Sequence, residues 1–599
     1  KIYSSINYLS VYSQIPSETK RVDIFPQVNF KENVTIKDAG GSYLVKTRWY
    51  KIRLSKETPA IFYIGSRSVN YFGEGGIADI IAVTLMGRKE VSRVYALQEL
   101  SYPQILLGNN QIVYKTTLKS KDNQTWATLL VKYTFFERAI KREIIIANDW
   151  ISSRYMNVEY TTRILSPLDH FIIKYGNDIK RRTIYPNQDY VLLKDTKFSE
   201  IYIYRNKTGI LFKYDESTPF PDKILYTGSL QGYYTVEQTL WKRLSPSETM
   251  HITQWISIGD RKTAYENVDR YLTVSMYPFP NGEKPLILLS YLGELSGISK
   301  EELDLIKRVH MTFEQHQAQH YVEVIKIDES VDGSKLNALK SITKDIIYSA
   351  DATIPQNLEE AIKNAEGAKI RSDGFLPEEL KYSIDSLKVL EKYNVTFLVA
   401  KVIPPPYYMY WKEGLRDPQF ALLEGNETSM VLIPVSGPVI TGRLLEYPNK
   451  EKWFDVIDSA LKYDDLVVFW WDSVKLADSE LLNSVLSVLD YAKSRGMTVT
   501  TPFEIANHYR LLRNVFVNVS MDDESGKICI DITNKNEKPV YGFTLKIVVP
   551  KDSKLTVENA KIVGKSQTSY DNWAYYISSN LMPRETKTVV VTVKGLSRK

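Results

Sequence analysis

The chain has 599 residues and a formal net charge of +6, with 43% hydrophobic and 25% charged residues, 28 Gly and 25 Pro. That composition excludes a disordered, collagen-like or low-complexity chain, and at about 100–200 residues per domain the length excludes a single domain. So dilute a positive surplus implies neither a nucleic-acid groove nor an anionic membrane partner, and the lone Cys529 excludes intrachain disulfides, Cys-based zinc sites and CxxC redox chemistry.

Over residues 1–275 short runs alternate between apolar and polar positions, at 43–54, 77–86, 111–119, 125–136, 141–147, 201–204 and 250–258. Period-two runs bounded by turn residues predict a large β-sandwich. The 41 Tyr and 10 Trp fit such a β-rich chain, and they also suit sugar stacking. Residues 275–285 hold three prolines and a glycine, which predicts a boundary without regular structure.

From 286 to 512 the character changes. Apolar runs at 395–403, 430–435, 466–471 and 497–500 read as buried parallel strands, alternating with helices at 358–365, 379–393, 452–461 and 479–495. The last helix is closed by Gly496 and carries Leu481, Leu482, Val485, Val488, Leu489 and Ala492 on one face. Alternation of this kind predicts a parallel sheet with crossover helices, open or closed into a barrel. Short alternating strands return over 515–597 and predict a small immunoglobulin-like β-sandwich. The expected fold is thus multidomain, α/β plus β: a central (β/α) barrel between an N-terminal large and a C-terminal small β-sandwich. No run reaches the 18 or so apolar residues of a membrane-spanning helix.

In parallel α/β folds the reactive groups stand at the C-terminal ends of strands. Reading 368–373 as a strand places Gly374-Phe-Leu-Pro-Glu378 on the following loop, and Asp472 ends the run Leu466-Val-Val-Phe-Trp-Trp471. Two carboxylates on one rim are what glycosidic bond cleavage needs, one as nucleophile or base and one as acid. Apolar neighbours on both sides favour raising the pKa of one of them. Taken singly, the plainer readings are a first-turn helix acid and a strand-end turn residue.

The segment Gly374-Phe-Leu-Pro-Glu-Glu-Leu-Lys-Tyr, leading to Asn394-Val-Thr-Phe-Leu-Val399, resembles the nucleophile region of glycoside hydrolase family 57, and Phe469-Trp-Trp-Asp-Ser-Val-Lys475 resembles that family's acid/base strand. The resemblance covers about residues 368–507, where Thr501-Pro-Phe-Glu504 also resembles the family's closing segment. It implies Glu378 as nucleophile and Asp472 as acid/base of a retaining hydrolase or glucanotransferase acting on α-glucan or a surface glycan, with no cofactor. The family's early His-Gln-Pro strand finds only His316-Gln-Ala318, inside a stretch whose helical spacing behind Ser299 predicts a helix instead.

Candidate sugar-binding side chains are Trp471, His316, and Tyr408 and Trp411 of the loop Pro404-Pro-Pro-Tyr-Tyr-Met-Tyr-Trp411. His316-x-x-x-His320 also has the histidine spacing of metal-dependent polysaccharide deacetylases, a further reading. A third is a non-catalytic cell-surface or assembly protein with a degenerate central module. The sequons at Asn33, Asn123, Asn206, Asn394, Asn426 and Asn518 favour an extracellular or cell-surface glycoprotein whose partner is a polysaccharide or glycan.

Overall fold

A computed structural model describes the chain from Val28 to Lys594, apart from residues 31, 67–68, 72–75, 86–102, 120–124, 149–155, 176–177, 186–188, 195–197, 216–220, 222, 229–233, 245–248, 319–320, 328–330, 402–417, 424–425, 437–449, 478, 523–524 and 569–571. The alternating runs of the first part form a nine-stranded and a ten-stranded antiparallel sheet. Their facing side chains, among them Ile52, Ile81, Leu129, Val131, Ile144, Ile164, Ile203 and Ile252, share one core. The run at 43–54 is a hairpin rather than one strand, because Thr47 Oγ1 accepts from the backbone of Trp49 and Tyr50 and turns the chain.

A buried polar cluster lies between these sheets. Arg142 donates to the Tyr133 hydroxyl at 3.1 Å, to the Tyr160 hydroxyl at 3.2 Å and to Gln254 Oε1 at 3.3 Å, and it pairs with Asp79. Arg142 is 0% exposed.

Two strands cross the limits read from sequence. Val28–Phe30 pairs in parallel with Val515–Asp522, and Val274–Tyr277 pairs antiparallel with Val540–Val549, so both complete the C-terminal pair of sheets. The proline-rich stretch therefore contains a strand: its prolines fall after Tyr277, with Pro280 opening a 3-10 turn. A second tie is the Asp464 carboxylate, which bonds Lys284, accepts from Lys546 Nζ at 2.6 Å and from the Tyr576 hydroxyl at 2.7 Å, and so joins the α/β unit to the C-terminal sheets.

The α/β unit is built from β1 (Lys284–Glu294), α1 (Lys300–Gln315), β2 (Val322–Lys326), α2 (Gly333–Ile342), β3 (Ile346–Ala352), α3 (Pro355–Gly367), β4 (Gly374–Tyr382), α4 (Ile384–Lys392), β5 (Phe397–Lys401), β6 (Gln419–Leu423), β7 (Asn426–Val435), α5 (Lys450–Tyr463), β8 (Val467–Asp472), α6 (Ser479–Ser494), β9 (Met497–Thr500) and α7 (Pro502–Leu512). The strand order is β6-β7-β5-β4-β3-β2-β1-β8, with β9 also on β1, and only β6 runs antiparallel.

This corrects the expected central (β/α) barrel. The ladder has two ends, one finished by an antiparallel strand, and most strands of the molecule lie in antiparallel sheets. The ends approach where Ser436 N donates to Val468 O at 2.9 Å and Val468 N donates to Ser436 Oγ at 3.0 Å. Alternation within parallel strands was readable in the sequence; how many strands pair, and whether they close, depends on long-range partners.

The sheet is strongly curled, because Leu289, Val324, Ile347, Leu376, Val399, Ile433 and Val468, from seven of its strands, belong to one core on the face that α7 covers. The opposite face carries α1 to α6, through Leu286, Phe469 and Trp471 at one side and Ile325, Tyr348 and Leu398 at the other. Ser299 starts α1 with a capping box to Glu302, as the helical spacing predicts, a device worth about 1 kcal/mol. The helix ends at Gln315, and Val324 lies on β2.

Candidate functional site at the strand ends

Successive side chains of a strand point to opposite faces. Tyr291 of β1, Lys326 of β2, Ser349 and Asp351 of β3, and Trp470 and Asp472 of β8 therefore continue the curled face at its C-terminal end. Glu378 joins them by a local irregularity of β4. Pro377 pairs with Ala350, but the next pair is Tyr382 with Ala352, so residues 378–381 leave the ladder. Leu380 there has a φ of +55°. Bulges of this sort re-aim side chains beside functional sites, and Glu378 comes to 3.5 Å from Lys326 Nζ, which also binds Glu294 Oε1 at 3.1 Å.

The segment around Glu378 departs from its sequence reading. Residues 368–373 form no strand: Ala368 caps α3 and Lys369 turns with a φ of +53°. The strand is Gly374–Tyr382, so Glu378 lies on a strand and not on a loop, and α4 begins only after Ser383, whose hydroxyl accepts from Ser386 N at 3.1 Å. Pro377-Glu378 mimics a helix start, but four buried residues, Gly374 to Pro377, precede it. Gly374 is required there, since a Cβ would stand 2.1 Å from the Phe397 ring.

Asp472 ends β8 as expected, half-buried, and its Oδ1 accepts from Lys475 N at 2.9 Å. Its ladder partner is Tyr291, and β1, β2 and β3 stand between β8 and β4. Four inter-strand spacings are about 19 Å along the sheet surface. The two carboxylates thus share a face and a rim without being ladder neighbours, and only the curl brings their strands toward each other. Glu378 is 36% exposed.

The other sequence candidates separate from this rim. Trp471 is 0% exposed on the helix-covered face, 5.7 Å from the Trp453 ring, because one step along a strand reverses the face. His316 follows α1, which runs back from the rim, so it sits at the opposite end of the sheet with Nδ1 3.2 Å from Asp490 Oδ1. Tyr408, Trp411, His320 and Asn123 lie outside the described residues. Asn33, Asn206 and Asn394 are exposed, Asn518 is half-buried in a strand, and Asn426 begins β7. Among the described residues no three His, Cys, Asp or Glu side chains group as a metal would need, and no helix is long and apolar enough to cross a membrane.

Sequence reasoning missed the other rim groups. Ser349 Oγ and Trp470 Nε1 are buried on the rim face with no protein hydrogen-bond partner, and the Trp470 ring meets that of Tyr291 at 5.7 Å. Orphaned atoms occur elsewhere too, Trp255 Nε1 and His508 Nε2 among them, so what distinguishes these two is the carboxylates on the same face. The signal available beforehand was parity: Ser349 and Asp351 follow Ile347 at period two, as Trp470 and Asp472 follow Val468.

No family model matches the chain, and no curated protein matches it in sequence. Solved structures similar to it include the GH36 α-galactosidase AgaB from Geobacillus stearothermophilus, at 8% identity and a TM-score of 0.31, covering 94% of this chain and 100% of that one. The galactosidase domain of the α-galactosidase-sucrose kinase AgaSK is similar at 7% identity and a TM-score of 0.33, with the same coverage. A third is an aldose 1-epimerase-like structure from Escherichia coli, at 8% identity and a TM-score of 0.29, covering 38% of this chain and 100% of that one. These proteins are named for sugar chemistry, and glycoside hydrolase family 57 is not among them. The likeness to that family rests on short segments within residues 368–507. At such identities and TM-scores neither activity nor substrate transfers to this chain.

Proposed function

We propose that this chain is a carbohydrate-active protein that binds a glycan at the C-terminal rim of the curled sheet, with Glu378 as nucleophile and Asp472 as acid/base of a retaining hydrolase or glucanotransferase. The observation that supports this reading is the combination, on one face, of two strand-end carboxylates with two buried polar atoms left unmatched by protein, Ser349 Oγ and Trp470 Nε1. Leaving a buried polar group unpaired costs about 1–3 kcal/mol. A ligand rich in hydroxyls supplies both partners, and the half-buried Tyr291 ring offers the apolar face that sugars stack on. An extracellular setting belongs to the same proposal, supported by exposed sequons at Asn33, Asn206 and Asn394.

In this mechanism Glu378 attacks the anomeric carbon while Asp472 protonates the departing oxygen. Asp472 then takes a proton from the water that releases the glycosyl group from Glu378, so that configuration is retained. Lys326 holds the Glu378 carboxylate in place beforehand.

The test is a hydrolysis screen over α-glucans and surface glycans with Glu378→Gln and Asp472→Asn beside the parent chain. Each variant is expected to fold and to lose more than about a thousandfold in turnover. Unchanged turnover in Glu378→Gln removes that residue from the mechanism. A second reading, a glycan-binding surface protein without catalysis, is favoured by the three strands between β4 and β8, because retaining pairs stand about 5–5.5 Å apart. It predicts glycan binding that survives both substitutions and no turnover in the parent.

A further inference from the structure

One residue behind the rim, on the helix-covered face, runs a buried polar row. Ser290 of β1 stands in the ladder between Trp471 of β8 and Glu323 of β2, and Ser290 and Glu323 are both 0% exposed. Glu323 Oε2 accepts from the Ser473 hydroxyl at 2.7 Å, and Oε1 meets His310 Nε2 of α1 at 2.8 Å. The Ser473 and Ser290 hydroxyls bond each other. His310 is fixed in turn by Tyr321, their rings 4.7 Å apart.

Each serine is the immediate neighbour of a rim side chain. Ser473 follows Asp472 and Ser290 precedes Tyr291, and Ser473 N donates to Tyr291 O at 3.0 Å. The ladder between β8 and β1 stops at Asp472, so beyond that point the Ser473 bonds take over from strand pairing. A fully buried carboxylate on the helix-covered face is a poor choice for stability alone, since apolar residues of like volume stabilise such a place at least as well. What a fully bonded buried network supplies is one fixed geometry.

We propose that the row His310–Glu323–Ser473–Ser290 is a positioning device that holds Asp472 and Tyr291 in register at the rim, with Glu323 as its centre. The proposal rests on the reading of the rim as the glycan site, and it names positioning residues, none of which touches the ligand. It predicts that the rim shifts when the row is broken even though no rim residue is changed.

The experiment compares crystal structures and glycan kinetics of Ser473→Ala, Ser473→Thr and Glu323→Gln with the parent chain. In Ser473→Ala the Asp472 carboxylate is expected to move by more than about 0.5 Å, the tolerance of a productive site. The kcat is expected to fall about ten- to a hundredfold with KM within about twofold. Ser473→Thr, which restores the hydroxyl, is expected to recover both readouts, and Glu323→Gln to fall between. Asp472 and Tyr291 unmoved in both Ser473→Ala and Glu323→Gln overturns the proposal. Should the parent chain turn over no glycan, the functional reading fails by itself, and the positions of Asp472 and Tyr291 still decide the positioning claim.

Discussion

The core of the N-terminal sheets and the rim of the α/β sheet both bury polar groups, but they differ in how those groups are satisfied. Around Arg142 the guanidinium is matched by Asp79, Tyr133, Tyr160 and Gln254, and the Tyr214 hydroxyl continues the chain from Gln254 Nε2 at 3.0 Å to Gln238 Oε1 at 2.7 Å. At the rim, Ser349 and Trp470 lie on the same face as the carboxylates with open hydrogen-bonding atoms. A network closed around its charge, with Gln238 Nε2 open at its edge, suits the packing of two sheets, whereas the rim's open groups stand beside part-buried carboxylates, as the proposed glycan site requires. The row behind the rim, with Glu323 satisfied at both oxygens, belongs with the closed kind although it lies next to the open one.

Three substitutions sharpen this contrast. The largest effect is expected from Arg142→Ala, which strands Asp79 as an uncompensated buried charge and should cost about 3–5 kcal/mol in denaturant unfolding. A loss below about 1 kcal/mol would mean that the cluster does not determine the packing of the two sheets.

Next is Asp464. Burial pushes its carboxyl up, but Lys546 and Lys284, by charge and by hydrogen bonds, outweigh this and hold it at about 2. Because the folded value lies below the ordinary 3.8, its stabilisation is complete above about pH 4 and fades as the pH falls toward 2. Asp464→Asn should cost about 2 kcal/mol at neutral pH and flatten that part of the acid limb, measured as unfolding free energy against pH.

The smallest effect on folding is expected from Ser349→Ala. Removing an unmatched hydroxyl should leave unfolding within about 0.5 kcal/mol of the parent, while glycan affinity drops about tenfold if the hydroxyl binds the ligand. Equal affinity would put Ser349 with the structural orphans such as His508.

Some of the site was legible beforehand. Asp472 follows an apolar run and ends a strand because Leu466 to Trp471 has no other way to be buried than inside a sheet. Glu378 stands at the rim for a different reason than its local pattern suggests: Pro377-Glu378 has the form of a helix start, and the buried run Gly374 to Pro377 is a strand because Phe397 and Ala350 lie beside it. Trp471 was misjudged by a single step of strand parity, and His316 because the end of the sheet it faces depends on the direction of α1. Glu323 gave no local signal, since an isolated acid in an apolar strand looks the same whichever residue it meets, and Ser349 gave only its parity with Ile347.

By itself the sequence determined the periods: two in the first and last parts, strand and helix alternation between them, and the start of α1 at Ser299, because these depend on neighbours within a few residues. Tertiary structure alone decided that Val28–Phe30 and Val274–Tyr277 complete the C-terminal sheets, that the central sheet curls without a continuous closing ladder, and that Lys326 reaches Glu378 across an intervening strand. Those outcomes follow from contacts between residues far apart in the chain, whose free energy arises only once the partners have met.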